Sequence, residues 1–364
     1  MDEKLKALLL LNSVSTDLRA WNKFMQYNAE PSALWKETSR FAGNVLSENA
    51  ATKLTEAERS GFAEREYEAC LKKNIKLIPY GTEKYPEPLY DLKDAPLVLY
   101  FNGNVADIPK KNVSVVGTRR ATAYGKLIAY NIGNRAASEN TAIISGGAAG
   151  IDGQAHTGCC NAHGTTFAIF GTGADVMYPL SNAELFERIK ENGALISEFP
   201  LGTTGKAWHF PKRNRIIAAL AQRLAVIEAP LKSGSMITAK AALELGREIW
   251  AVPGKITENV SEGTNRLIFD GAYPLINLDL FFGRKAVMID FEKNIVTSSL
   301  ISGLNEAQKK VLAVIAREND MTVDNIAVAA DMNPTEVLKI ASMLDALGLI
   351  ISSGPGRYTA AKNF

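Results

Sequence analysis

At 364 residues, with 46% apolar side chains, the chain is too long for one ordinary domain and can bury a sizeable core, so two or three domains are expected. Its formal charge is +2, its three cysteines (Cys70, Cys159, Cys160) fit neither a disulfide framework nor a zinc-ligand spacing, and no apolar stretch approaches membrane-spanning length. This composition argues against a disulfide-stapled secreted scaffold, a zinc module and a membrane-spanning protein, and a reducing cytoplasm is the natural compartment.

Residues 1–70 carry nine basic and eleven acidic side chains and read as a helical N-terminal module of several short helices. Leu5, Leu8, Leu9 and Leu11 lie roughly on one helical face, and Trp21, Phe24, Leu34, Trp35, Phe41, Leu46 and Leu54 supply a small core. The run at 8–11 follows acidic residues and precedes no small-residue cleavage site, so it is not a signal peptide. No chemistry is legible there, and a packing appendage is expected.

From residue 71 to about 277, short β-branched runs alternate with amphipathic stretches. Strands are predicted over 113–116, 142–145, 165–170, 194–198, 224–228 and 249–252, and helices over 124–138, 152–161, 183–191, 213–221, 236–245 and 265–270. Such alternation implies right-handed βαβ crossovers and an α/β, doubly wound, mostly parallel sheet, assigned to a domain over 71–290. Ligands on such sheets sit outside the carboxyl ends of the strands. The residues there are Gly117, Thr118, Arg119 and Arg120; Ser145, Gly146 and Gly147; Gly171 and Gly173; and, after a short loop, Ser233 and Ser235. Glycine lets backbone approach a ligand, and hydroxyls with free N–H groups can hold phosphate oxygens, so the four loops are expected to share one ligand-binding edge.

The segment 197–247 holds eight basic side chains against three acidic ones, and its excess equals that of the whole region between the terminal modules. At its centre Lys212, Arg213 and Arg215 crowd around Asn214 and lead into the apolar run 216–221. That pattern reads as a helix's first turn, where unpaired N–H groups and the macrodipole favour an anion. Trp208, His209 and Phe210 stand directly before it, and flat rings beside cations suit single-stranded nucleic acid. The bland alternative is a solvated basic helix start.

The loops fail the usual enzyme tests. No Gly-Lys-Ser/Thr closes a Walker A motif and no loop has dinucleotide GxGxxG spacing. His156, His163 and His209 lie apart, with no HExxH and no Ser-His-Asp order. No metal, cofactor or catalytic set is expected. The enzyme alternative, a nucleotide hydrolase or nucleosidase, has Asp152 and Glu198 as its only plausible carboxylates.

Residues 278–302 read as a linker and 303–364 as a separate module. Asn305, with Gln308 in the capping-box position, starts a helix to about 317; 323–330 forms a second; Asn333 and Pro334 open a third, ending at Gly348. A hairpin over 349–360 turns at Gly354 to Gly356, which describes a winged helix. Its third helix has one base, Lys339, against Glu336 and Asp345, so a protein contact is favoured over DNA.

The stretches SVVGTRRATAYG (114–125), ISGGAAGIDGQAH (144–156), GTGADVMYP (171–179), SEFPLGT (197–203), HFPKRNRIIAAL (209–220) and GTNRLIFDGA (263–272) resemble, in order, the DNA-processing protein A family, also called Smf. The resemblance implies an extended Rossmann-like fold that binds single-stranded DNA, dimerises and loads the RecA recombinase in natural transformation, without catalysis. It places the DNA pocket at Arg119, the Ser145-Gly146-Gly147 loop, Phe210 and the Arg213-Asn214-Arg215 turn, with Lys206 close to a further basic contact; Lys212 is added from the basic cluster itself. Gly205 stands where a proline is frequent in the family.

Overall fold

The protein is described from a computed structural model covering residues 1–14, 18–283, 304–318, 320–347 and 349–361. It divides into two compact units, Met1–Arg284 and Lys285–Phe364. In the first, the described strands are β1 (Ile75–Pro79), β2 (Val98–Asn102), β3 (Asn112–Val116), β4 (Ala142–Ser145), β5 (Thr166–Phe170), β6 (Ala194–Ser197), β7 (Arg223–Val226), β8 (Glu248–Ala251) and β9 (Tyr273–Pro274). They form one sheet in the order β1-β2-β6-β5-β4-β3-β7-β8-β9. β1/β2 and β2/β6 pair antiparallel and the rest parallel.

The order explains where a ligand can sit. From β3 the chain steps outward through β4, β5 and β6, then returns to the other side of β3 as β7 and continues to β8 and β9. Successive connections therefore leave β3 and β7 in opposite directions, and their carboxyl ends open a crevice at the switch point.

Helices cover both faces. The helices of this unit are α1 (Glu3–Ser13), α2 (Leu18–Met25), α3 (Ala33–Lys36), α4 (Thr38–Phe41), α5 (Glu48–Arg59), α6 (Phe62–Lys72), α7 (Ala123–Ser138), α8 (Ile151–Asn161), α9 (Ala183–Asn192), α10 (His209–Leu220), α11 (Gly234–Glu244), α12 (Asn259–Phe269) and α13 (Leu278–Phe281). β3 is buried on both sides, and its side chains alternate as strand geometry requires. Val113 and Val115 pack with Ile132, Ala155 and Cys159 of α7 and α8. Val116 joins the opposite cluster with Ile216 and Ala239, and the Ser114 hydroxyl donates to the Ile217 carbonyl of α10 at 3.0 Å.

Two features depart from the sequence expectation. In α1 Leu10 is as fully buried as Leu8, Leu9 and Leu11, so this helix is enclosed rather than one-faced. Each such leucine contributes roughly 1.5–3 kcal/mol of burial. Its partners include Tyr100 and Phe101 of β2 and Ile196 of β6, so the N-terminal helices and the sheet share one hydrophobic cluster. The antiparallel strands β1 and β2 were not foreseen. They extend the sheet beyond β6 and carry the surface on which those helices rest.

The second unit is described by itself. The capping box is formed, with Gln308 and Asn305 exchanging backbone-to-side-chain bonds of 2.9 Å at the start of α14 (Glu306–Arg317). Strand β10 (Met321–Thr322), α15 (Val323–Ala330), α16 (Pro334–Ala346), β11 (Ile350–Gly354) and β12 (Arg357–Ala360) follow. The strands make an antiparallel sheet in the order β10-β12-β11 under a core that includes Val311, Ile326, Val337 and Leu344. The third helix ends at Ala346, two residues short of the expected Gly348, which lies outside the described residues. Most of the expected linker at 278–302 also lies outside them, but α13 occupies its first residues.

Candidate functional site

α10 begins at His209, not at residue 213. Pro211 falls in its first turn, where the missing N–H costs nothing. Arg213, Asn214 and Arg215 consequently sit in the second turn, away from the free amides. At about 100° per residue they fan out around the helix rather than converge.

Arg213 turns inward. It is only 5% exposed, and its guanidinium donates to the Gly146 carbonyl at 2.6 Å, to the Ile169 carbonyl and to Asn214 Oδ1 at 3.1 Å. The Gly146 N–H in turn donates to Asp152 Oδ2 at 3.1 Å. Arg213 and Asp152 thus hold the carbonyl and the N–H of one residue, Gly146, at the end of β4, and Arg213 also ties it to β5. A Cβ on Gly146 would lie 2.6 Å from Asp152 and 2.7 Å from Arg213, so any side chain there has to push these groups aside. Burial pushes the Asp152 carboxyl up to about 6 against the opposing pull of Arg213, and burial pushes the Arg213 guanidinium down to about 10.

Arg215 points elsewhere. It pairs with Glu198 at 2.5 Å and Asp94 at 3.0 Å and does not line the crevice. Lys212, partly exposed, lies 3.6 Å from Glu198 and 5.5 Å from the Phe199 ring centre. Asn214 donates to the Gly234 carbonyl at 3.2 Å, which fixes α10 against the start of α11.

The crevice itself lies at the β3/β7 switch point, with a volume of about 370 Å³. Gly117, Arg119 and Arg120 after β3 form one wall, Phe210 and Arg213 another, and Ser233, Gly234 and Ser235 a third. Ser233 caps α11 by accepting from the Met236 N–H at 3.4 Å, and this eleven-residue helix directs the positive end of its dipole at the space. Arg119 and Arg120 are exposed and have no carboxylate partner among the described residues. They are the site's uncommitted cations.

A second recess of about 190 Å³ adjoins the first, and Arg119, Ala148, Phe210 and Arg213 line both. Arg119 stands 5.3 Å over the Phe210 ring, and Tyr178 packs against the same ring at 5.4 Å with a 38° tilt. The ring's seat is glycine: a Cβ at Gly171 would meet it at 3.0 Å and one at Gly205 at 3.2 Å. The Gly171 loop therefore supports the aromatic side chain and does not line the main crevice.

Other predicted residues take similar structural duties. The fully buried Ser145 hydroxyl donates to the Val115 carbonyl at 2.5 Å, facing the sheet. Gly147 adopts a left-handed φ of 67° against Phe186, and the Gly173 N–H donates to the Thr203 carbonyl at 2.9 Å. Lys206 is exposed, has no ion pair among the described residues, and its carbonyl accepts from the His209 N–H at 2.9 Å in the turn entering α10. His209 is buried, its Nδ1 bonded to the Gly171 carbonyl at 3.0 Å, and burial lowers its pKa. Tyr178 and Asp152 were not among the predicted binding residues. Tyr178 could have been noticed as an aromatic residue at a strand-end loop.

No group of three or more His, Cys, Asp or Glu poised for a metal occurs among the described residues. No described helix is long and apolar enough to cross a membrane.

With this geometry in view, a family model described as DNA recombination-mediator protein A matches residues 76–283. The DNA processing protein DprA of Bacillus subtilis is 38% identical over 202 residues, covering 55% of this chain and 68% of that protein. The structure of DNA processing protein A from Streptococcus pneumoniae is 31% identical with a TM-score of 0.62, covering 74% of this chain and 92% of that one. That of DNA processing protein A from Helicobacter pylori, concerned with a unique single-stranded DNA binding mode, is 31% identical with a TM-score of 0.52, covering 57% and 94%.

Proposed function

The chain belongs to the DNA recombination-mediator protein A family, and from that premise we propose that it binds single-stranded DNA at the switch-point crevice. One observation carries the reading: the uncommitted guanidinium of Arg119 lies over the Phe210 ring in a crevice that the N-terminus of α11 also lines. That arrangement offers a cation and helix amides to a phosphate and aromatic surface to a base. The interaction is with backbone and ring faces, so it discriminates little between sequences and weakens with salt.

Lys206, Arg120, Ser233 and Ser235 are the further contacts in this reading, while Arg213 and Asn214 act by shaping the wall. Lys212 is a peripheral base. Arg215 contributes indirectly, by occupying Glu198 and Asp94.

Mobility shifts with single-stranded and duplex oligonucleotides over a salt series test the proposal. Arg119→Glu lowers single-strand affinity at least about tenfold for every sequence and flattens the salt dependence by about one charge, with the melting temperature unchanged. Unaltered affinity would remove the reading.

The finer role we infer is a cytoplasmic recombination mediator that protects incoming DNA and loads the RecA recombinase in natural transformation, acting as a homodimer and without catalysis. Support for self-association comes from the sheet's far edge, where Phe269, Tyr273 and Ile276 are exposed to 81%, 53% and 69%. Against the hydrolase alternative, Asp152 is committed to the Gly146 N–H and lies beside Arg213, and Glu198 is paired with Arg215. We read the second unit as a winged helix that contacts protein. Its hairpin arginine, Arg357, is held by Asp320 through bonds of 2.8 and 3.1 Å and is not free for phosphate.

A further inference from the structure

Resting on the single-strand reading, we propose that Trp208 is a second nucleobase-stacking station, outside the crevice, across which the strand continues. The three consecutive aromatic side chains before α10's basic run have separate fates. His209 is buried and bonded to Gly171, and Phe210 is clasped by Arg119 and Tyr178. Trp208, at the helix cap, keeps 52% of its surface in solvent.

Its orientation is fixed from below. The indole packs edge-on against His209 at 4.1 Å and Phe199 at 6.4 Å, and those two buried rings stack on each other at 4.2 Å. An exposed ring anchored on a buried aromatic pair is held in place before a base arrives, so little side-chain freedom is lost on stacking.

The charges around it favour a polyanion. Lys206, two residues earlier, is exposed and unpaired among the described residues, and Lys212 lies one turn on, over the Phe199 ring. The nearby carboxylate, Glu198, is held at 2.5 Å by Arg215. Two helical positions separate Trp208 from Phe210, which puts the side chains on opposite flanks of a helix about 10 Å across. A strand must therefore be longer than the crevice to touch both.

The test uses the full chain and oligothymidylates of about 4 and about 16 nucleotides, with affinity and tryptophan fluorescence as readouts. Trp208→Ala is expected to weaken the long strand about 5- to 100-fold and leave the short one nearly unchanged; Trp208→Phe restores most of the loss. The long strand quenches wild-type fluorescence more than that of Trp208→Phe. Arg119→Glu weakens both lengths. Long-strand affinity unchanged in Trp208→Ala, while Arg119→Glu still loses both, overturns the Trp208 station and leaves the crevice standing. Failure of the wild type to bind either length overturns the crevice reading itself. A Trp208→Ala variant that alters only the oligomeric mass, with affinity intact, assigns the ring to a protein contact and also overturns the proposal.

Discussion

At the scale of single residues, the Arg213–Asp152 pair determines how the site responds to pH. The folded Asp152 carboxyl titrates near 6, whereas an unfolded aspartate titrates near 3.9. Between those values the folded protein retains a proton that the unfolded chain has lost, so the contribution of this group to stability falls as pH rises from about 4 and flattens above about 6. Wild-type stability relative to Asp152→Asn is expected to drop by about 3 kcal/mol across that interval, measured by denaturant unfolding at each pH. Below pH 6 the same protonation removes a negative charge from the crevice wall. Oligonucleotide affinity should therefore rise as pH falls through 6 in the wild type and stay level in Asp152→Asn. Gly146→Ala probes the bracket sterically. It is expected to destabilise by about 1–3 kcal/mol, because its methyl has to displace the buried Asp152 carboxyl and Arg213 guanidinium.

At the scale of elements, α10 shows what periodicity reveals and what local composition conceals. The basic cluster was legible as a cluster, but 213 and 215 stand some 200° apart on a helix, so they could never have gripped one ligand together. The expected start at 213 lies four positions after the observed one at His209, because Pro211 is tolerated inside the first turn. The six parallel strands β3 to β8 were legible within about two residues, since each is an apolar run closed by glycine or a polar turn, whereas the two-residue β9 was not. β1 and β2 were not: IKLIP and VLYFN become strands by pairing with each other and with β6, which no local pattern announces. The strand-end glycines were found, but the reason for Gly171 was not. Gly171 and Gly205 leave room for a ring contributed by another element, a packing fact visible only in three dimensions. In the second unit the capping box was read directly from its spacing. Asn305→Ala is expected to cost that unit about 1 kcal/mol, checked by amide exchange along α14, with single-strand binding unaffected.

At the scale of the whole molecule, the region over 1–70 reads in sequence as a packing appendage. In the fold its leucines lie against Tyr100 and Phe101, and Glu66 accepts the Leu201 N–H at 2.7 Å, next to the loop that leads to Lys206. A chain beginning at residue 71 would expose that apolar face. Its expected behaviour is aggregation or loss of a cooperative melt, read by light scattering and calorimetry against the full chain. The bracket around Gly146 has a different kind of consequence. Because the crevice wall is already cross-tied before any strand arrives, the ordering cost of association falls on the nucleic acid, and encounter should be governed by charge-guided diffusion rather than by rearrangement of the receptor.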